Sequence, residues 1–163
     1  MQHTRKRILC VEDHEDSCEM MKVLLEMWNY EVALAGTGAD GLRLIQSEHF
    51  DLYLLDAWLP EVSGVELCEQ ICGVPGHAPV VFISGAVYES DKQCGLQAGA
   101  VAYLTKPLDF AILEITLARL LPQSPGNGNG KYLKDSRVVT TQEHTTMSNE
   151  RGAVRSRNTE RQI

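Results

Sequence analysis

A chain of 163 residues with 44% hydrophobic content is long enough for one buried core and a short appendage. Its formal charge of −7 is uneven: residues 1–121 carry 8 basic and 18 acidic side chains, net −10, while residues 122–163 carry 7 and 4, net +3. An acidic body does not favour nucleic acid, and no apolar run approaches the roughly 18–20 residues of a membrane span.

The cysteines, Cys10, Cys18, Cys68, Cys72 and Cys94, are odd in number and scattered, which argues against a disulfide framework and fits a reducing, cytoplasmic setting. Cys68 and Cys72 lie one helical turn apart, but two thiols without a second pair read as packing rather than as a metal site.

Ile8 to Val11 reads as a first strand, too short for a signal peptide, and it ends in Glu12-Asp13. A helix follows, with Met21, Leu24, Leu25 and Trp28 at i, i+3, i+4 and i+7. Asp16 or Ser17 is its expected cap, and Asn29-Tyr30 its end. Glu31 to Ala35 alternates like a strand. Gly36 to Gly38 turns, and Ala39 to Ser47 forms a short helix with Leu42 and Ile45 inward. The run from Asp51 to Pro60, DLYLLDAWLP, is a strand buried on both faces that stops on an acid, Asp56.

Pro60 and Gly64 bracket a loop before a helix with Leu67, Cys68 and Ile71 on its buried side. Pro79 to Ser84 is another doubly apolar strand, ending on a hydroxyl. A weakly patterned helix spans Tyr88 to Ala98 and closes on Gly99. Val101 to Leu104 is a fifth strand, followed by Thr105-Lys106-Pro107. The last helix places Phe110, Leu113, Leu117, Leu120 and Leu121 on one face and stops at Pro122.

Five strands alternating with five helices predict an α/β fold, a doubly wound parallel sheet with right-handed crossovers. The domain is expected over residues 6–121. Residues 122–163, with linker composition and then a Ser/Thr/Arg/Asn-rich stretch, are expected to be a disordered linker and tail.

In such a sheet the ligand crevice lies outside the carboxyl ends of the strands. The residues expected there are Glu12 and Asp13, Asp56, Ser84 and Lys106. Carboxylates 4 Å apart repel by about 4 kcal/mol per pair at an effective dielectric near 20, so the cluster needs positive charge. Lys106 supplies one unit, and a divalent ion would supply two. All-oxygen ligands point to Mg2+, with Mn2+ as the alternative. A carboxylate beside such an ion, a hydroxyl and a lysine is the parts list of phosphoryl transfer onto Asp56. Taken singly, Asp13 reads as a helix cap, Ser84 as a turn residue and Lys106 as a loop charge. Their joint placement at four strand ends favours a site.

The segments ILCVEDHED, DLYLLDAWLPEVSG, PVVFISG and AGAVAYLTKPLD, in this order and spacing, resemble the receiver domain of bacterial two-component response regulators. The resemblance implies a flavodoxin-like sheet of order 2-1-3-4-5. It implies Asp56 as phosphoacceptor, and a metal held by Glu12, Asp13, Asp56 and the backbone carbonyl of Trp58. Ser84 would be the switch hydroxyl, Lys106 the bridge to the phosphoryl group, Tyr103 the aromatic switch, and Lys106-Pro107 a cis bond.

Glu12 stands where many members carry Asp, and Trp58 where Met is common. The bulk of Trp58 is expected to slow water's attack on the acylphosphate. Implied partners are a sensor histidine kinase or phosphotransfer protein, a downstream protein effector, and a second copy docking through the face of helix four, strand five and helix five. The chain then acts as a switch rather than an enzyme, either alone or as a piece of a longer regulator. Two rival readings are a pseudo-receiver that never takes phosphate and a Mg2+-dependent phosphatase with an aspartyl nucleophile. Trp58 occupies the position of the second acid that such phosphatases need.

Overall fold

The computed structural model describes residues 5–85 and 88–122. The strands are β1 Arg7–Val11, β2 Glu31–Ala35, β3 Leu52–Leu55, β4 Val80–Ser84 and β5 Ala102–Thr105. They alternate with α1 Glu15–Met27, α2 Gly38–Ser47, α3 Gly64–Cys72, α4 Glu89–Gln97 and α5 Phe110–Leu120. All neighbouring strands pair in parallel, in the order β2-β1-β3-β4-β5. The doubly wound sheet expected from the alternation is the sheet observed.

Side chains alternate across each strand, so the apolar runs divide into two cores. On one face Leu9, Val11, Tyr53, Leu55, Val80 and Phe82 pack with Leu67, Cys68 and Ile71 of α3, and Leu42 and Ile45 of α2 lie against them. On the other, Ile8, Cys10, Leu52, Leu54, Val81 and Ile83 pack with Met21 and Leu25 of α1 and Leu113 and Leu117 of α5. The three central strands must bury both faces and are apolar throughout. The edge strands β2 and β5 are only partly buried.

Local signals set the helix ends. Thr37 Oγ1 caps α2 by accepting from Asp40 N at 3.0 Å. Ser63 and Glu66 form a capping box on α3, and Asp109 accepts from Ala111 N and Ile112 N at the start of α5. Asn29 (φ 66°) closes α1 in the left-handed region, and Gly99 (φ 108°) follows α4.

Three expectations need correction. The N-cap of α1 is His14, not Asp16 or Ser17, and its side chain makes no cap bond. The helix starts as soon as the chain leaves the acidic pair, so Asp16 lies inside the first turn, where its charge complements the helix dipole. Phe110 shares the apolar side of α5 by periodicity yet is 41% exposed, because it opens the helix where the strand layer has ended. Gly38 belongs to α2 rather than to the preceding turn. The tail assigned to residues 122–163 lies, apart from Pro122, outside the described residues.

Candidate functional site at the carboxyl edge of the sheet

Parallel register brings four strand ends to one edge: Val11 pairs with Leu55, Leu55 with Phe82, and Ser84 with Thr105. The ladder runs one residue further at each functional position. Glu12 N donates to Ala35 O at 3.0 Å, Asp56 N to Val11 O at 2.9 Å and Lys106 N to Ser84 O at 2.8 Å. Backbone bonds therefore hold the functional residues before any side chain is considered.

Lys106 Nζ donates to Glu12 Oε2 at 2.6 Å and to Asp56 Oδ2 at 2.7 Å. Residues 94 and 50 positions apart from Lys106 meet at one ammonium. Glu12 and Asp56 are buried, at 5% and 7% exposure. Asp56 Oδ1 accepts from Trp58 N at 2.8 Å, so the acceptor loop folds back on its own carboxylate. Burial works against the Lys106 charge, but the hydrogen bonds to Asp56 and Glu12 outweigh it and raise its pKa above the usual lysine value.

Asp13 stands at the rim and binds His14, whose Nδ1 lies 3.0 Å from Asp13 Oδ1 and 3.3 Å from Glu12 Oε1. The hydrogen bond to Asp13, with the charges of Asp13 and Glu12, raises the pKa of His14. Ligand atoms of Glu12, Asp13 and His14 all lie within 4.8 Å of one another. Ser84 is fully buried at the end of β4. The indole of Trp58 is exposed, and the Lys106-Pro107 bond is cis, as the resemblance implied.

Tyr103 is half-buried on β5, its ring 5.6 Å from that of Phe82, and its hydroxyl is buried with no hydrogen-bond partner among the described residues. Gly95 of α4 covers this pair; a Cβ there would stand 2.9 Å from Phe82 and 3.1 Å from Tyr103. Below the acids a cavity of about 330 Å³ extends between α1 and α5, walled by residues such as Cys10, Met20 and Phe110. Burial pushes the Cys10 thiol far up, so it lines this cavity as an apolar group.

The expected cluster of Glu12, Asp56, Ser84 and Lys106 is assembled on one sheet edge, with Asp13 beside Glu12. Sequence reasoning missed His14, whose signal was its place directly after the acidic pair. It also missed the tightness around Gly64, where a Cβ would sit 1.9 Å from the carbonyl oxygen of Asp56. Cys18 Sγ, which donates to Glu12 O at 3.1 Å, had no signal beyond helical periodicity.

The donor set suits a hard divalent cation. Three carboxylates against one ammonium leave two negative charges, and the donors at the buried end are oxygens. Glu12, Asp13 and Asp56 are the residues that fit such an ion.

Residues 8–118 match the response regulator receiver domain. A probable transcriptional regulatory protein of Picosynechococcus is 38% identical over 119 residues, which are 69% of this chain and 47% of that protein. The transcriptional regulatory protein ZraR of Escherichia coli K12 is 34% identical, over 74% of this chain and 27% of its own length. The chain thus spans about half or less of these curated relatives. Among solved structures, a CheY-like receiver domain from Methanospirillum hungatei superposes with a TM-score of 0.68 at 33% identity, covering 71% of this chain and 93% of that one. The chemotaxis response regulator CheY4 of Vibrio cholerae gives 0.67 at 28%, over 72% and 100%. A parallel 2-1-3-4-5 sheet whose carboxyl edge gathers Glu12, Asp56, Ser84 and Lys106, together with a family match over residues 8–118, makes this chain a response regulator receiver domain of two-component signalling.

Proposed function

We propose that this receiver takes a phosphoryl group from a phosphohistidine donor onto Asp56 and relays that event to a partner. The observation that carries the reading is the single ammonium of Lys106 shared by the buried carboxylates of Glu12 and Asp56. Such an arrangement holds a nucleophilic carboxylate beside a positive charge that can support the oxygens of an incoming phosphoryl group.

In the transfer, an Asp56 carboxylate oxygen forms a bond to phosphorus as the donor's N–P bond breaks, and the donor imidazole keeps the electron pair. The Lys106 ammonium turns from the carboxylates toward the phosphoryl oxygens, and the Ser84 hydroxyl donates to one of them. A Mg2+ ion, held by Glu12, Asp13, Asp56 and the Trp58 carbonyl, would supply charge neutralisation on those oxygens. The new group adds about −1.5 to −2 charges at the sheet edge. Movement of Ser84 toward it alters the packing around the Tyr103 ring, shifting the population between two conformations. The protein catalyses only its own phosphorylation and dephosphorylation.

The proposed donors are a sensor histidine kinase or phosphotransfer protein. Output is proposed through the face formed by α4, β5 and α5, where Leu96, Val101, Ile112 and Ile115 are exposed, toward an effector or a second copy. Relatives named as transcriptional regulators extend beyond the matched region, so an output through nucleic acid would use sequence outside the acidic receiver. No helix among the described residues is long and apolar enough to cross a membrane. A cytoplasmic location is proposed on the free thiols of the five cysteines.

The test is incubation of the chain with a small acyl phosphate and Mg2+, comparing wild type and Asp56→Asn by intact mass and size-exclusion chromatography. A single phosphoryl adduct on wild type and none on Asp56→Asn is the expected result. Multiple turnover without an adduct would mean a phosphatase, and no reaction a pseudo-receiver.

A further inference from the structure

The last turn of α3 carries two thiols side by side, away from the acceptor edge. Cys68 Sγ and Cys72 Sγ lie 3.9 Å apart, and Cys68 Sγ donates to Ala98 O at 3.5 Å. Cys68 is fully buried, while Cys72 is half-buried at the end of the helix. Cys72 in turn packs on Gly99, where a Cβ would stand 2.7 Å from its Sγ and where φ is 108°. The pair thus fastens α3 to the turn that joins α4 to β5. Gly99 N and Ala100 N close that turn on Leu96 O at 3.1 Å and Gly95 O at 3.3 Å.

We propose that Cys68 and Cys72 form a redox-responsive dithiol, which a hydroperoxide converts to a disulfide that releases α3 from the α4–β5 turn. In the first step the Cys72 sulfur attacks one peroxide oxygen and becomes a sulfenic acid. The O–O bond breaks, and the second oxygen takes the thiol proton and departs as water or an alcohol. In the second step the Cys68 sulfur attacks Cys72 Sγ. The S–O bond breaks, and hydroxide leaves as water with the Cys68 proton. The two thiols lose two electrons and the peroxide gains them. Burial, and then the nearby Cys72, push the Cys68 thiol up to about 12, so Cys72 meets the oxidant and Cys68 resolves the sulfenic acid.

Helix geometry decides what the new bond does. Cα atoms four residues apart lie about 6.2 Å from each other, within reach of a disulfide. Their Cβ atoms stand about 5–6 Å apart, against the roughly 3.5–4.5 Å of a bridge, so an intact turn cannot hold the bond. Cys72 is the final residue of α3, and Gly73 to Gly76 after it are exposed, so only that turn has to open. As Cys72 moves toward Cys68 it leaves Gly99, and Ala98 O loses the S–H it accepted from. Reversible oxidation of this kind is the ordinary use of a disulfide in a reducing compartment.

The experiment treats the full chain carrying Cys94→Ser, which removes the exposed thiol, with hydrogen peroxide and then with a thiol reductant. Cys68→Ala and Cys72→Ser are compared in the same background by intact mass, peptide mapping after alkylation, and amide exchange. The expected product is a monomer lighter by two hydrogens, with a Cys68–Cys72 bridge that the reductant reverses and that both variants lack. Cys68→Ala should instead gather oxygen on Cys72, and Cys72→Ser should leave Cys68 unmodified. The amides of Gly99 and Ala100 should exchange about 10-fold faster in the oxidised chain. Stable oxygen addition at Cys72 while Cys68 is present overturns the inference, as does a bridge to Cys10, to Cys18 or to a second chain. So does a chain that peroxide leaves unchanged at both thiols. A Cys68–Cys72 disulfide that leaves Gly99 and Ala100 as protected as before overturns the release of the turn.

Discussion

Replacing Lys106 with Met keeps the aliphatic stem and removes the ammonium that Glu12 and Asp56 share. Glu12 Oε2 and Asp56 Oδ2 lie 2.6 and 2.7 Å from that nitrogen, so they are at most 5.3 Å apart (2.6 + 2.7). Two unit charges at that separation repel by about 3 kcal/mol at an effective dielectric near 20. Lys106 is about one-third exposed, and water entering its place screens part of the repulsion; a loss of about 2 kcal/mol is expected. That corresponds to about 10 °C in Tm for a domain of this size. The assay is urea denaturation at pH 7.5 with a chelator present. Adding Asp56→Asn to the variant should restore part of the loss, because it removes one of the two charges. In wild type the raised lysine pKa means that the pair's stabilisation is fully present below about pH 10 and lost only as pH climbs through the raised value. A Lys106→Met protein with wild-type stability at pH 7.5, or a double variant no more stable than the single, would refute the charge argument.

Gly64→Ala places a Cβ against the Asp56 carbonyl oxygen and should cost about 2–3 kcal/mol while slowing phosphorylation, read by denaturation and by adduct formation. Tyr103→Phe removes a buried hydroxyl that has no partner among the described residues, and is expected to raise stability by up to about 1 kcal/mol in the unphosphorylated protein. In Asp51, burial raises the carboxyl pKa, but the bonds from Lys6 at 2.7 Å and Arg7 N at 2.9 Å prevail and lower it. A depressed carboxyl stabilises above its unfolded pKa near 3.9 and loses that contribution as pH falls through the folded value. Asp51→Asn should therefore flatten the acid limb of the stability profile below about pH 4 and cost about 1 kcal/mol at pH 7. Trp58→Met is expected to shorten the lifetime of the phosphorylated chain severalfold, measured by loss of adduct mass, and an unchanged half-life would remove the shielding role of the indole.

The sheet was legible because central parallel strands must be apolar on both faces, so β1, β3 and β4 stand out as uninterrupted runs. The edge strand β5 was placed one residue early, at Val101 rather than Ala102, because an edge needs apolar residues on one face only and leaves its ends unmarked. Glu12, Asp56 and Lys106 were legible for the complementary reason: a charge that ends an apolar run has no packing role there. What could not be read were effects set by distances between remote segments. Nothing near Gly64 in the chain announces that the carbonyl of Asp56 will touch it, and periodicity counted Phe110 as core although the strands end before reaching it. His14 drew no attention because one imidazole after two acids has no meaning until Glu12 is turned toward it by Lys106.

The buried hydroxyl of Tyr103 bears on why such a site can act as a switch at all. An unpartnered buried polar group costs about 1–3 kcal/mol, which is also the span of most couplings between distant sites. In this conformation the ring packs well, on Phe82 and beneath Gly95, while its hydroxyl finds no partner among the described residues, so the packing gain is partly cancelled. A competing arrangement that gives the hydroxyl a partner and loosens the ring contact would therefore lie close in free energy. On the proposed function, phosphoryl charge at Asp56 would act on the same β4–β5 edge through Ser84 and Lys106, whose backbones are joined by the 2.8 Å bond from Lys106 N to Ser84 O. A small energetic gap and a mechanical link to the acceptor are both needed for a population shift. Removing the hydroxyl should widen the gap without touching the link. Tyr103→Phe is thus expected to accept phosphate at the wild-type rate while responding less in partner binding or self-association, and equal losses in both would place Tyr103 in the acceptor chemistry instead.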